Sequence, residues 1–143
     1  MARTKKDLLS ANDVEGISDG SLAEKLTLLF ETRLSPDLDP FTLVEVAEGT
    51  GGSISPTYLM NLRDGKFSNP SMSKVKALSK FFNVPITYFY DEDGASGLRA
   101  EIREEFSKSL DALSDERVRR QISETTSPRA QAIIISIVRN KSA

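Results

Sequence analysis

Hydrogen-bonding and apolar side chains alternate along one short stretch that begins at Ser55. A serine followed by a proline is typical of a helix start, because the serine accepts a backbone hydrogen bond and the first helical residue needs no N–H. On such a helix, the face opposite the apolar one presents Pro56, Thr57, Met60 and Asn61. An asparagine amide can pair with adenine, and threonine and methionine can touch a thymine methyl group. This chemistry fits base edges in the major groove, and an ordinary surface helix of an all-α domain is the alternative.

Helical periodicity continues on both sides of this stretch. The serines at 21, 55 and 71 each precede an apolar pattern of helical spacing, and Glu24 completes a capping box with Ser21. The predicted helices cover about 21–33, 41–48, 55–64, 71–82 and 85–90. Phe41, Val44 and Ala47 are predicted to share one face of the second helix, and Met72 is among the apolar residues of the fourth. Five short helices within 21–90 indicate a compact all-α domain.

The rest of the chain divides into an arm, a linker and a second helical domain. Residues 1–20 are polar and predict a flexible N-terminal arm, and the glycines and acids of 91–97 predict a linker. Residues 98–143 predict further helices whose apolar side chains recur at helical spacing. These are Leu98, Ile102, Phe106, Leu110, Ile133 and Ile137. Because a tail of this length cannot bury so much apolar surface alone, we predict that it dimerises, and packing against the first domain is the alternative.

Composition excludes several function classes. The chain has no cysteine and no histidine, so disulfides, a histidine base and a zinc site of histidine and cysteine are impossible. We therefore predict no enzyme activity, no metal and no cofactor. No apolar run reaches the roughly 18 residues that predict a membrane helix, and a cysteine-free chain fits a reducing cytoplasm.

Charge argues for a nucleic-acid partner only when it is counted locally. The net charge of the chain is −2, which as a bulk property does not favour DNA. From Arg63 to Lys80, however, there are five basic residues and one acidic residue. A few cations suffice to hold DNA phosphates when they face the same way.

The same segment resembles the XRE family of helix-turn-helix regulators, to which the lambda-type repressors belong. The matching features are Ala47, Ile54-Ser55, Arg63-Asp64-Gly65, and Lys66 to Pro70. The turn from Glu48 to Ile54 is about two residues longer than is usual in the family, and many relatives have glutamate at the position of Arg63. The long turn and the YLMNLRDG helix most resemble a mycobacterial, nucleoid-associated subgroup.

This resemblance implies a lambda repressor-like domain of five helices followed by a helical dimerisation domain. It adds Ser55 to the residues that contact bases or the groove, and it implies phosphate contacts from Thr42, Arg63, Lys66, Ser68 and Asn69. For Arg63, a solvated or salt-bridged arginine is the alternative.

The function that follows is a dimeric, sequence-specific regulator of transcription that binds double-stranded DNA in the cytoplasm, in association with the nucleoid. It would act by occupancy, as a repressor that blocks polymerase, or by bridging DNA sites in higher-order assemblies. An antitoxin-like module that neutralises a partner protein through its C-terminal helices is the alternative. The operator sequence and any small-molecule effector are not determined by the sequence.

Overall fold

The computed structural model describes residues 21–142, and every regular element in that range is a helix. The helices are α1 (Leu22–Thr32), α2 (Leu43–Gly49), α3 (Pro56–Arg63), α4 (Met72–Phe82), α5 (Thr87–Tyr90), α6 (Gly94–Asp111), α7 (Glu116–Ile122) and α8 (Pro128–Ser142). The prediction of an all-α fold is confirmed for these residues. The predicted arm, residues 1–20, lies outside them.

The described residues separate into two compact units. Within residues 21–142, the first contains 21–29 and Thr42–Ala95, and the second contains Phe30–Phe41 and 96–142. The segment 30–41 therefore groups with the C-terminal helices, which a division of the sequence at 91–97 does not foresee. Four of the seven residues of the predicted linker, 94–97, are also helical, since α6 begins at Gly94.

The acidic run before α6 explains why the helix begins so early. The Asp91 carboxylate accepts a hydrogen bond from the Asp93 N–H at 3.0 Å, and the Asp91 carbonyl accepts one from the Gly94 N–H at 2.9 Å. These bonds form a turn that leads directly into α6, and carboxylates near a helix N-terminus are stabilised by the helix dipole. Local hydrogen bonds thus favour helix over an extended linker at Gly94–Gly97.

Serine side chains cap the starts of α1, α3 and α4. Ser21 accepts a hydrogen bond from the Glu24 N–H at 3.0 Å, and Ser55 accepts one from the Tyr58 N–H at 3.1 Å. Ser71 caps α4 in the same way, through the Lys74 N–H at 3.4 Å. Each cap satisfies a backbone donor that has no partner inside its helix, so the helix starts are fixed by sequence.

Two large apolar side chains, one on α2 and one on α4, are exposed in the first unit. The buried residues of α2 are Val46 and Ala47, whereas Val44 is 53% exposed. Met72 is also 53% exposed because it lies in the first turn of α4, ahead of the buried stripe that begins at Val75. Val44 therefore does not share the buried face of α2 with Ala47, as the apolar pattern predicted.

A buried lysine ties α1 to α5 in the same unit. The Lys25 ammonium donates a hydrogen bond to the Phe89 carbonyl at 3.0 Å, and the Tyr88 hydroxyl donates one to the Lys25 carbonyl at 2.6 Å. Burial lowers the pKa of Lys25 below its ordinary value, and the carboxylates of Asp91 and Glu92 oppose this shift. The two bonds satisfy polar groups that would otherwise be costly to bury.

The second unit is built around one face of α6. Leu98, Ile102 and Phe106 are each buried, and the first two line a small cavity of about 280 Å³ together with Ala132 and Ile135 of α8. Two other residues of the lining, Arg139 and Glu105, form an ion pair at 3.3 Å. The stripe on α6 is therefore covered by the chain's own residues.

No helix within residues 21–142 is both long enough and apolar enough to cross a lipid bilayer.

The long turn between α2 and α3 depends on two glycines. Gly51 and Gly52 have φ values of 72° and 82°, in the left-handed region that favours glycine. The Ala47 carbonyl closes the turn by accepting hydrogen bonds from the N–H groups of Thr50 and Gly52, both at 3.2 Å, and from the Thr50 hydroxyl at 2.7 Å. The turn is therefore a defined structure.

Gly52→Ala is expected to lower the free energy of unfolding by about 1 kcal/mol, the cost of a left-handed conformation for an L-residue. A Cβ at this position would meet no atom within 4 Å, so the effect is purely conformational. Gly97→Ala is the matched control, since Gly97 lies exposed in α6 with equally open surroundings, and it should gain about 0.5–1 kcal/mol. Urea denaturation measures both, and an equal response of the two variants would contradict the assignment.

Candidate nucleic-acid interface

Two packed helices joined by this turn form the centre of the candidate site. Helix α2 packs against α3 within the first unit. Leu59 and Leu62 of α3 are fully buried, and Ile54, immediately before the cap of α3, is 1% exposed. These three side chains anchor the inner face of α3, so its other face is held in place from behind.

The start of α3 is exposed. Ser55, Pro56 and Thr57 are all exposed, and Met60 is partly exposed. The Ser55 hydroxyl accepts the Tyr58 N–H and keeps its own proton for an external acceptor. Proline at the first helical position has no N–H, which leaves the Thr57 N–H as the uncapped donor of this turn. The helix start thus offers donors and small apolar groups side by side.

The backbone of Asn61 helps to end α3, whereas its side chain takes no part in that ending. Its carbonyl accepts hydrogen bonds from the Lys66 N–H at 2.8 Å and the Phe67 N–H at 3.2 Å, while the Leu62 carbonyl accepts the Gly65 N–H at 3.2 Å. This is a Schellman ending, with Gly65 at φ 83°. Within residues 21–142, the Asn61 side-chain amide has no hydrogen-bond partner, and it is partly exposed. The amide is therefore available to a ligand.

An aromatic pair holds the loop after α3 against that helix. The rings of Tyr58 and Phe67 lie 5.0 Å apart, and the Lys74 ammonium lies 5.3 Å from the centre of the Tyr58 ring. Tilted aromatic pairs and cations over ring faces are attractive arrangements. Because Phe67 stands between Lys66 and Ser68, this packing fixes the part of the loop that carries the predicted phosphate contacts.

The predicted phosphate contacts differ in exposure. Lys66, Ser68 and Asn69 are exposed in the loop after α3, whereas Arg63 is partly buried in the last turn of α3. Thr42 is exposed at the start of α2, in a reciprocal capping box with Glu45. Since the Glu45 carboxylate takes the Thr42 N–H at 2.8 Å, Thr42 can meet a phosphate only through its hydroxyl proton.

The residues predicted to mediate dimerisation fall into two groups. Leu98, Ile102 and Phe106 are buried within the monomer, and Leu110 is partly buried. On α8, Ile133 is partly exposed and Ile137 is 46% exposed. Only the second group offers much apolar surface to another molecule.

Sequence patterns did not single out Phe67 or Lys74. Phe67 is 41% exposed, and an isolated aromatic residue in a polar loop is a signal that could have been noticed. Its contact with the partly exposed Tyr58 could not have been, because helical periodicity does not indicate where the loop after α3 runs. The pairing depends on how the Schellman ending turns the chain back.

Comparison with known proteins shows a similarity to nucleoid-associated proteins. No family model matches the chain. It is 34% identical over 86 residues to the nucleoid-associated protein EspR of Mycobacterium tuberculosis, in strain CDC 1551 / Oshkosh and in strain ATCC 25618 / H37Rv. The match covers 58% of this chain and 65% of each relative, which is less than two thirds of their length. Both relatives are named for association with the nucleoid.

Proposed function

We propose that this protein is a sequence-specific regulator of transcription that binds double-stranded DNA with α3 in the major groove. The observation that carries the proposal is the exposed start of α3 together with the Asn61 amide, which has no hydrogen-bond partner among residues 21–142. The opposite face of this helix is apolar and buried. The N-terminal residues of such a second helix contact base edges in helix-turn-helix proteins. The similarity to EspR supports the same reading, including a nucleoid-associated place in the cytoplasm.

The proposed role of each residue follows from the chemistry of its side chain. Thr57, Met60 and Asn61 contact base edges, where amide and methyl groups can discriminate between base pairs. Ser55 and Pro56 fit against the groove at the helix start. Contacts with the sugar-phosphate backbone come from Thr42, Arg63, Lys66, Ser68 and Asn69. These contacts set the register of the domain without selecting a sequence.

The proposal includes membership of the XRE family and action as a homodimer. Two linked domains raise the effective concentration of the second at its half-site, so a domain with modest affinity can bind tightly. The exposed apolar side chains of α8, Ile133 and Ile137, are the proposed contact with a second copy of the chain. Occupancy of the site would then repress transcription, and assembly of dimers would bridge sites. No enzymatic activity is proposed.

Selection from a pool of randomised duplexes tests the function. The expected result is enrichment of a two-fold symmetric motif whose half-sites lie about 10–10.5 base pairs apart, or a multiple of that spacing. Binding without any enriched motif would contradict sequence-specific recognition. Co-purification with a distinct small protein and no DNA binding would favour the antitoxin-like function, for which the same α8 surface would serve.

A further inference from the structure

A second basic surface lies in the first unit, between the end of α2 and α4. The end of α2 and the turn after it, Gly49 to Gly51, form one wall of an open cleft of about 680 Å³. The other wall is α4, which contributes Ser73, Lys76 and Lys80. The cleft therefore adjoins the C-terminal end of α2, whereas Thr42 caps the N-terminal end of the same helix.

The charge of this cleft is uncompensated within the described part of the chain. Lys76 and Lys80 are both exposed, and neither forms an ion pair with any residue of 21–142. They stand four residues apart on α4, where like charges on one face destabilise a helix. Helix α4 itself contains no acidic residue, and the exposed Glu48 beside the cleft wall makes no pair with either lysine.

The other polar side chains of the cleft are hydrogen-bonded within the protein. The Thr50 hydroxyl donates to the Ala47 carbonyl at 2.7 Å, and the Ser79 hydroxyl donates to the Val84 carbonyl at 2.8 Å. The exposed Ser73 hydroxyl shares a hydrogen bond of 3.2 Å with the Ser71 hydroxyl, and the Gly51 N–H donates to the Glu48 carbonyl at 3.0 Å. What distinguishes the cleft for a ligand is its two exposed ammonium groups, which act as point charges rather than as a patterned set of donors.

Gly51 leaves its wall of the cleft low. It is exposed, and a Cβ at this position would meet no atom within 4 Å, so no side chain stands there between a ligand and the lysines. A linear polyanion can therefore lie along the cleft, and its neighbouring charges can meet both ammonium groups. Unpatterned cations suit the repeating phosphates of a nucleic-acid backbone, whose neutralisation releases counterions.

We infer that the Lys76–Lys80 cleft binds the sugar-phosphate backbone of DNA, as a second contact separate from the face that α3 presents. The inference rests on the proposed DNA-binding function. The backbone can belong to the flank of the duplex read by α3 or to a second duplex. In both cases the contact is independent of sequence, because the cleft has no group that could distinguish bases.

The test compares Lys76→Gln/Lys80→Gln with Arg103→Gln/Lys108→Gln, a control that removes two exposed cations from α6. Each full-length protein is titrated with a 40-base-pair duplex carrying the selected motif over a series of salt concentrations, by fluorescence anisotropy. Each is also used to capture a labelled duplex on an immobilised one. If the cleft binds the flank, log affinity should fall less steeply with log salt in the cleft variant. The magnitude of the slope should decrease by about 1.8, or about 0.9 per lost phosphate contact.

Binding to a second duplex predicts an unchanged slope and a loss of at least tenfold in capture. In either case the control should behave as the unmodified protein. If the cleft variant matches the control in both slope and capture while the unmodified protein binds the motif, the inference fails and the proposed function stands. If the unmodified protein binds no duplex, both fail.

Discussion

Replacing Asn61 by alanine is expected to weaken binding to the selected motif by about tenfold to a hundredfold, because one bidentate base contact supplies about 1–3 kcal/mol. Binding to unrelated DNA should change little, since that binding depends on phosphate contacts. The motif selected by Asn61→Ala should therefore lose its preference at one position of each half-site. This is the sharpest consequence of placing α3 in the major groove.

The structure separates this effect from a loss of stability. Of the groups of Asn61, the Schellman ending of α3 uses only the backbone carbonyl, which alanine retains. The side-chain amide makes no hydrogen bond within residues 21–142, and alanine is a better helix former than asparagine. The free energy of unfolding should therefore stay within about 0.5 kcal/mol of its original value, as is usual for surface substitutions.

Fluorescence anisotropy with the selected duplex and with a scrambled one gives the affinities, and urea denaturation gives the stability. Asn140→Ala is the matched control, because Asn140 is exposed on α8, in the other unit. Equal affinity of the Asn61 and Asn140 variants for the selected duplex would show that α3 does not read bases through Asn61.

Replacing both Ile133 and Ile137 by aspartate is expected to convert the dimer to a monomer and to lower affinity for the full two-fold motif by about a hundredfold. The two side chains lie one turn apart on α8 and expose apolar surface that the monomer does not cover. Charged carboxylates there would have to be buried without partners in a dimer, which is costly. Affinity falls because the second domain no longer acts at high effective concentration.

Light scattering during size-exclusion chromatography measures the mass, and anisotropy measures the affinity. Val118→Asp is the control, since Val118 is 39% exposed on α7 and close in exposure to Ile137, which is 46% exposed. It should stay dimeric. A dimer in the double variant, with the helical circular dichroism unchanged, would remove α8 from the interface.

Truncation would be a weaker test of the same point. Ala95, in the first turn of α6, is fully buried in the first unit, and Phe30–Phe41 group with the C-terminal helices. A chain cut after Asp93 would lose the first contact and leave the second segment without its partners. For the same reason, changes at Leu98, Ile102 or Phe106 would report on folding rather than on dimerisation.

Local chemistry made much of the first unit predictable. Serine caps at 21, 55 and 71 satisfy backbone donors wherever the rest of the chain lies, and the Asp64-Gly65 pair allows the left-handed ending that α3 adopts. The exposed start of α3 could be predicted for the same reason, since Leu59 and Leu62 fix which face is buried. These features need only neighbours within a few residues.

The apolar pattern was least informative where it was short. Helix α2 has seven residues, and Val44 is exposed although Val46 and Ala47 are buried. A short pattern contains too few repeats to fix which face is buried. Met72 is exposed because it lies in the first turn of α4, ahead of the buried stripe that begins at Val75.

The sequence by itself determined the helices, their caps, the absence of cysteine and histidine chemistry, and the polar face of α3. Only the tertiary structure decided that Phe67 packs on Tyr58, that Gly49–Gly51 face Lys76 and Lys80, and that the α6 stripe is covered within the monomer. It alone also grouped Phe30–Phe41 with the C-terminal helices. The physical reason is that caps and turns are satisfied by adjacent residues, whereas these contacts join residues distant along the chain.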